Sequence, residues 1–216
     1  MLRRIIISLF VIFACFSCFA FFHFHEQNHV GLTPEVIREK WSRAKPENSI
    51  LHSGDFIFRH GRGAISNALM LFSRHEAKYS HAGIISVENE KVYVYHAIGG
   101  EENPSNKLRK DPLELFCDPR DVHSFGIYRL DLDKRQLQKV DSIAGNYYRN
   151  GLEFDTKFDL STDEKMYCSE FVYKIISQAT GDKNYLPLSS VSGINYVACD
   201  DLYLNAHCNR LYDYRY

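Results

Sequence analysis

The chain has no excess of charge of one sign, since 26 basic residues stand against 27 acidic ones. Proteins that bind nucleic acid usually concentrate positive charge, so we expect no nucleic-acid partner. The sequence is 45% hydrophobic and 25% charged, and no repeat or low-complexity tract follows residue 30. These values exclude long disorder, a collagen-like repeat and a disulfide-rich miniprotein.

Recognisable metal-site spacings are missing from the body of the chain. The four cysteines beyond the N-terminal segment form no C-x-x-C pair, and the six histidines between residues 52 and 123 show neither H-E-x-x-H nor H-x-x-x-H spacing. Because zinc sites usually carry such spacings, we expect no metal and no other cofactor. Cys199 and Cys208 are the closest of these cysteines in sequence, but the pattern leaves disulfide pairing open.

The N-terminal segment has the composition of an export signal. Arg3 and Arg4 precede an apolar run over residues 5–22, and Ala20 ends a stretch suited to cleavage. The run also reaches the lower limit for a membrane anchor, and Cys15 lies in a loose lipoprotein-like context. All three alternatives predict a protein of the periplasm or cell envelope, either exported or membrane-anchored.

We therefore divide the chain into three parts. Residues 1–22 are the signal peptide or N-terminal membrane anchor, and residues 23–50 are a linker with a short helix. Residues 51–216 are one globular domain, long enough to form its own hydrophobic core. Within that domain the patterns predict strands at 54–59 and 126–130 and a β-hairpin at 81–98. Helices at 64–72, 133–148 and 167–179 flank these strands, without regular βαβ alternation. This order is typical of an α+β fold.

Three residues could carry chemistry. His81 begins the first arm of the hairpin HAGIISV/VYVYHAI, His96 lies late in the second arm, and Cys168 lies near the start of a helix with an apolar stripe. Antiparallel pairing brings His96 within one or two places of the residue opposite His81. A cysteine at a helix N-terminus gains thiolate character, and a histidine held by a second polar group could serve as its base.

Each of these residues also has a purely structural interpretation. Cys168 shares the spacing of the apolar stripe, so it could be a small core residue, and both histidines could be interior residues with satisfied ring nitrogens. The capping-box pattern over residues 161–164 would start the helix earlier and place Cys168 in its second turn, where activation is weaker. The residues alone leave both interpretations open.

A family resemblance favours the catalytic interpretation. The segments GDFIFR (54–59), YSHAGI (79–84), YHA (95–97), FDTKFD (154–159) and YCSEFV (167–172) resemble, in this order, the permuted papain-like amidases of the YiiX and YaeF group. This group belongs to the NlpC-type hydrolases and is similar in plan to lecithin retinol acyltransferase. The resemblance implies a circularly permuted papain-like fold, in which an antiparallel sheet packs against the helix that carries the cysteine.

The resemblance also implies roles for the site residues. Cys168 corresponds to the nucleophile, His81 to the general base and His96 to the residue that orients His81. Of the other motif residues, we expect Asp55 and Arg59 to be structural and Glu170 to be a helix-surface or helix-capping acid.

The expected function is that of a cysteine hydrolase, a thiol amidase or peptidase that cleaves amide or ester bonds through a thioacyl-enzyme. Its substrate partner would be a peptide, as in cell-wall peptides, or an acylated lipid, and the N-terminal segment would provide any membrane association. The alternatives are an acyltransferase and a non-catalytic module of the same fold that binds peptide or lipid.

Overall fold

The structure is a computed structural model that describes residues 31–216. The N-terminal segment, with its predicted signal or anchor, lies outside the described residues. Between residues 31 and 216, no helix is both long enough and apolar enough to cross a bilayer. The chain divides into two units, residues 1–39 and residues 40–216.

The first described helix follows a capping threonine and begins with proline. Helix α1 covers Pro34–Ala44. The Thr33 hydroxyl accepts the Val36 N–H at 3.4 Å, and proline occupies the first helical position, where no intrahelical N–H is needed. A short 3₁₀ turn, Asn48–Ile50, follows.

An antiparallel sheet of six strands forms the centre of the second unit. Its spatial order is β10-β5-β1-β2-β3-β4. The strands are β1 Phe56–Gly61, β2 His81–Glu88, β3 Lys91–His96, β4 Arg109–Pro112, β5 Val122–Leu130 and β10 Cys208–Arg215. Two small pairs lie outside it: the parallel pair β6 Glu153–Phe154 and β7 Lys165–Met166, and the hairpin of β8 Ser189–Val191 and β9 Ile194–Tyr196.

The hairpin of β2 and β3 has the predicted register. Ile84 pairs with Tyr95, and Glu88 pairs with Lys91 across the turn. Asn89 and Glu90 both have positive φ, as a two-residue hairpin turn requires. The turn therefore sets which residues of the two arms face each other, and it brings the ends that carry the histidines together.

The remaining helices complete an α+β architecture. They are α2 Ala64–Leu69, α3 Leu113–Phe116, α4 Lys134–Arg149, α5 Cys168–Thr180 and α6 Cys199–Tyr203. Short 3₁₀ turns cover Met70–Phe72 and Gly100–Glu102. Helix α4 starts with the reciprocal capping box of Asp133 and Gln136, and α5 ends at Gly181, which has a φ of 75°.

The sheet buries both of its faces. One face, with Phe56 and Phe58, packs in a core cluster with α4 and α5 residues such as Val140 and Phe171. The other face contributes to a second cluster that includes Ile57. Side chains of successive strand residues point to opposite faces, so both clusters draw on the same strands. The predicted α+β fold, with an antiparallel sheet against the cysteine helix, is confirmed.

One sequence expectation about elements differs from the structure, and some elements have no sequence signal. Residues 161–164 do not start the helix, because α5 begins at Cys168 and Lys165–Met166 pairs with Glu153–Phe154 instead. Helix α6 and strands β4 and β10 were not predicted. Their residues have little apolar periodicity of their own, and the tertiary partners of these segments determine their structure.

Candidate active site

Cys168 is the first residue of α5. The preceding residue, Tyr167, has an extended backbone (φ −82°, ψ 170°), and its N–H donates to the Glu170 carboxylate at 3.1 Å. The Cys168 side chain is therefore at the helix N-terminus, where N–H groups lack intrahelical acceptors and the helix dipole favours negative charge. The residue is 7% exposed.

The two predicted histidines lie side by side on neighbouring strands. His81 is the first residue of β2 and His96 is the last residue of β3. The Nε2 atom of His81 is 2.9 Å from the Nδ1 atom of His96, and both side chains are buried. The Phe116 ring stacks on His81 at 5.7 Å and meets His96 edge-on at 5.1 Å, so the pair is packed on an apolar surface.

A carboxylate that no sequence pattern indicates continues this line of contacts from His96. Asp111 Oδ2 is 3.0 Å from His96 Nε2. Arg109 holds the carboxylate through two contacts, from Nε to Oδ1 at 3.1 Å and from Nη2 to Oδ2 at 2.7 Å. Burial raises the pKa of Asp111, but the bonds from His96 and Arg109 outweigh it and leave this pKa below its usual value. The carboxylate is therefore an acceptor.

The proton positions follow from these contacts. Burial lowers the pKa of His96 to about 3, although Asp111 acts in the opposite direction, so His96 is neutral at pH 7. Its Nε2 must carry the proton, because the Asp111 carboxylate can only accept. Its Nδ1 is then an acceptor, and His81 Nε2 must donate to it. This assignment leaves Nδ1 as the basic nitrogen of His81.

Cys168 is in contact with His81 and with a second thiol. The pKa of Cys168 lies well below its ordinary value: the largest cause is a hydrogen bond from Cys199, followed by the charge and hydrogen bond of His81 and by the Ala82 N–H, all of which outweigh burial. Since His81 Nε2 bonds to His96, Nδ1 is the ring nitrogen that remains for Cys168. We refer to Cys168, His81, His96 and Asp111 as the Cys–His–His–Asp array.

Arg59, predicted to be structural, adds positive charge beside the array. Its guanidinium lies 4.9 Å from the centre of the Phe116 ring and donates to the Phe116 carbonyl at 3.1 Å. It also pairs with Glu102 at 3.1 Å. This charge is one of the causes that lower the pKa of His96.

Two further motif acids are buried. Asp55 bonds to Arg129 through both carboxylate oxygens, at 2.7 and 2.8 Å, and so connects β1 to β5. Glu170 is fully buried rather than on the helix surface, and it accepts the Tyr167 N–H as a capping acid. Burial raises the pKa of Glu170 to about 7, although Lys174 pairs with it at 2.9 Å and lowers it.

The FDTKFD segment forms a turn built by its own acid. Asp155 is buried and accepts the N–H groups of Lys157 and Asp159 at 2.8 and 2.6 Å. Both of its carboxylate oxygens are thus engaged within the turn. The FDTKFD segment is therefore a turn, and Asp155 is buried within it.

Comparison with known proteins identifies related chains. The family described as "permuted papain-like amidase enzyme, YaeF/YiiX, C92 family" matches residues 50–189. The uncharacterised protein YiiX of Escherichia coli strain K12 is 30% identical over 131 residues, which cover 60% of this chain and 59% of that protein. The match thus spans less than two thirds of the relative's length.

A solved structure has a similar fold. The crystal structure of YiiX from Escherichia coli O157:H7, described there as a metalloprotein, superposes with a TM-score of 0.61 and 21% identity, covering 76% of this chain and 98% of that one. Among residues 31–216, no group of three or more His, Cys, Asp or Glu side chains is arranged to hold a metal ion.

Proposed function

Because the chain belongs to the permuted papain-like amidase family, we propose that it is a cysteine hydrolase that cleaves amide or ester bonds through a thioacyl-enzyme on Cys168. The observation that carries this proposal is the chain of hydrogen bonds from His81 through His96 to Asp111, next to a cysteine at the first position of α5 whose pKa His81 lowers. A purely structural cysteine needs no such line, whereas a nucleophilic thiolate needs a base held in one orientation.

In the proposed mechanism, His81 Nδ1 takes the thiol proton and the Cys168 sulfur attacks the substrate carbonyl. The leaving amine or alcohol receives the proton back from His81, and water activated by the same nitrogen then hydrolyses the thioacyl-enzyme. His96 and Asp111 are positioning residues. They keep the His81 Nε2 proton engaged, so that Nδ1 stays directed at the sulfur.

The start of α5 would stabilise the oxyanion. The backbone N–H of Cys168 has no intrahelical acceptor, because the first helical positions leave their donors unpaired. It lies beside the attacking sulfur, where negative charge develops on the carbonyl oxygen during attack. The N-terminal end of the helix dipole would favour this charge as well.

An exposed apolar surface favours acyl lipids over cell-wall peptides as substrates. It consists of Leu71 (85% exposed), Phe72 (60%), Val191 (53%) and Ile194 (68%). Phe72 contacts Tyr196 ring to ring at 6.3 Å, and the Tyr196 hydroxyl donates to the Phe72 carbonyl at 3.1 Å. The apolar surface therefore combines two segments of the chain.

The backbone just beyond Phe72 is hydrogen-bonded to the segment that carries Cys199. The residue after Cys199, Asp200, accepts the N–H groups of residues 74–76 at 2.9, 2.7 and 3.2 Å, just beyond Phe72. Exposed apolar side chains of this kind provide a binding surface for an acyl chain. We therefore propose an acylated lipid as the substrate and place the enzyme outside the cytoplasm, as the N-terminal segment predicts.

Trapping of the acyl-enzyme tests the proposed function. Purified protein is mixed with p-nitrophenyl esters of short and long fatty acids and, separately, with cell-wall-type peptide amides, and intact mass and peptide mapping follow. We expect an acyl group on Cys168 and faster turnover of long-chain esters. Cys168→Ala should abolish both, whereas the control Cys208→Ala should retain them.

The other outcomes separate the alternatives. Release of product to an added alcohol or amine instead of water would identify an acyltransferase. Binding of the esters or peptides without an adduct on Cys168 and without product would identify a non-catalytic module and overturn the proposal. Leu71→Ser with Phe72→Ser should remove the preference for long chains while short-chain turnover remains.

The location has its own test. A reporter that is active only outside the cytoplasm, fused to the C-terminus of the full chain, should be active. Activity of a complementary cytoplasmic reporter would contradict the proposed location, and carbonate extraction separates a cleaved product from an anchored one.

A further inference from the structure

Cys199 is a second thiol at the nucleophile, and the mechanism above does not use it. It is the first residue of α6, and its thiol interacts with that of Cys168. Cys199 is partly exposed, and both cysteines are reduced in this structure. The two residues are distant in sequence and come from different helices, so the tertiary fold creates this pair.

The backbone before Cys199 is attached directly to the start of α5. The Val197 N–H donates to the Tyr167 hydroxyl at 2.8 Å, and the Ser169 hydroxyl donates to the Val197 carbonyl at 2.7 Å. Tyr167 and Ser169 are the two neighbours of Cys168 in sequence. Both backbone polar groups of Val197 thus hold the segment before Cys199 against the start of α5.

The backbone after Cys199 is also held. Asp201 accepts the Ala198 N–H at 2.8 Å and the Ser189 N–H and hydroxyl at 3.1 and 2.9 Å. Asp200 accepts the three N–H groups of residues 74–76. Cys199 lies between these anchors, so its distance from Cys168 is set by buried polar contacts on both sides.

The two thiols differ in protonation. Hydrogen bonding to Cys168 and burial raise the pKa of Cys199 well above its ordinary value, and the charges of Asp200 and Asp201 add to this effect. Cys168 has the opposite shift. The pair is thus one thiolate and one thiol, which is the starting arrangement of a peroxide-sensitive cysteine with a resolving partner.

We propose that Cys199 is a resolving cysteine, which converts oxidised Cys168 into a reversible Cys168–Cys199 disulfide. The inference rests on the proposed function, because it requires a reactive thiolate at Cys168. It adds a modification site that switches the hydrolase off under hydroperoxide stress and protects its nucleophile from irreversible oxidation.

The proposed chemistry has two steps. The Cys168 thiolate attacks the distal oxygen of a hydroperoxide, the O–O bond breaks, and the leaving alkoxide or hydroxide takes a proton from His81, which leaves sulfenic acid on Cys168. The Cys199 thiol then attacks that sulfur, the S–O bond breaks, and water leaves as the disulfide forms. A dithiol reductant restores both thiols and is itself oxidised to a disulfide.

Mass mapping of the linkage tests the inference without a substrate. The reduced full chain is treated with an excess of hydrogen peroxide, because each thiol consumes one peroxide to reach sulfenic acid and a further one to reach sulfinic acid. Its remaining thiols are then alkylated, and it is digested with trypsin. Cleavage at Lys174 and Lys183 separates the two cysteines. A second digestion with chymotrypsin is needed, because Cys199 and Cys208 share one tryptic peptide that cleavage after Tyr203 divides.

We expect a Cys168–Cys199 linked peptide in the wild type and recovery of most Cys168 labelling after dithiol treatment. Cys199→Ser keeps a hydrogen-bond donor beside Cys168 but cannot form the link, so Cys168 should proceed to sulfinic acid with no recovery. Cys208→Ser is the matched control, since it removes a partly buried thiol elsewhere, and it should behave as the wild type does.

The two proposals fail in different ways. If Cys168 oxidises to the same sulfinic acid in wild type and Cys199→Ser, or links to Cys117 or Cys208, the resolving role is wrong while the nucleophile remains. If Cys168 reacts with neither peroxide nor iodoacetamide at neutral pH, the proposed function fails first.

Discussion

Neutral, buried His96 should make the protein sensitive to acid in a way that can be measured. Its pKa is about 3 in the folded protein and about 6.5 in an unfolded chain. Between these values the unfolded state binds a proton that the folded state does not, so stability falls as the pH decreases from about 6.5.

The size of the effect follows from the two values. Between pH 7 and pH 4.5 this single group should reduce the free energy of unfolding by about 2.5 kcal/mol. The size of this loss depends mainly on the pKa of His96 in the unfolded chain. At pH 4.5 the folded protein still keeps His96 unprotonated, because its folded pKa is about 3. Asp111, whose pKa is lowered, contributes loss of stability in the same direction, but only at more acidic pH.

Comparison with His96→Asn isolates this contribution. The asparagine does not titrate and can still accept a hydrogen bond from His81. The buried Glu170, whose pKa is raised to about 7, acts in the opposite direction, since its folded form binds the extra proton and gains stability on acidification. Because Glu170 is present in both proteins, its contribution cancels in the difference between them.

The assay is urea denaturation of both proteins at pH 7, 5.5 and 4.5. We expect wild type to lose about 2.5 kcal/mol more than His96→Asn between the extremes. His52→Asn, which removes an exposed histidine, should show the wild-type dependence. Equal losses in wild type and His96→Asn would refute the assignment of His96 as a neutral, buried link.

Three further outcomes are expected. Asp111→Ala should slow ester turnover by about tenfold or more, because His81 loses its fixed tautomer, and should change kcat more than KM. Asp55→Ala should lower the free energy of unfolding by about 3 kcal/mol in urea titrations, because Arg129 loses its buried partner. Gly126→Ala should cost about 1–3 kcal/mol in thermal melts, since the new Cβ would lie 2.1 Å from the buried Tyr79 hydroxyl oxygen; Gly31→Ala, with open space around it, should change little.

The hairpin that carries both histidines could be predicted from local sequence. Its two arms alternate in the manner of strands, and a polar turn of known length sets their register. The same arithmetic that paired Ile84 with Tyr95 placed His96 near His81. The position of His96 next to His81 could be predicted because the turn and both arms are contiguous in the chain.

Asp111 and Cys199 could not be found in this way. Asp111 belongs to a four-residue charged strand whose pairing with β3 follows an irregular connection, and no periodicity identifies it. Cys199 reaches Cys168 through contacts of Val197 with the start of α5, which join separate parts of the fold. Glu170 was expected at the surface or as a cap; it caps α5, and packing buries it.

The central claim is that His81 maintains the Cys168 thiolate, and the rate of Cys168 alkylation against pH tests it most directly. Iodoacetamide labelling is followed by mass mapping in wild type, His81→Ala and the control His52→Ala. We predict half-maximal labelling of Cys168 well below about pH 8.5, the value for an ordinary thiol, in wild type and His52→Ala. In His81→Ala the midpoint should move upward, and an unchanged midpoint in that variant would contradict the account.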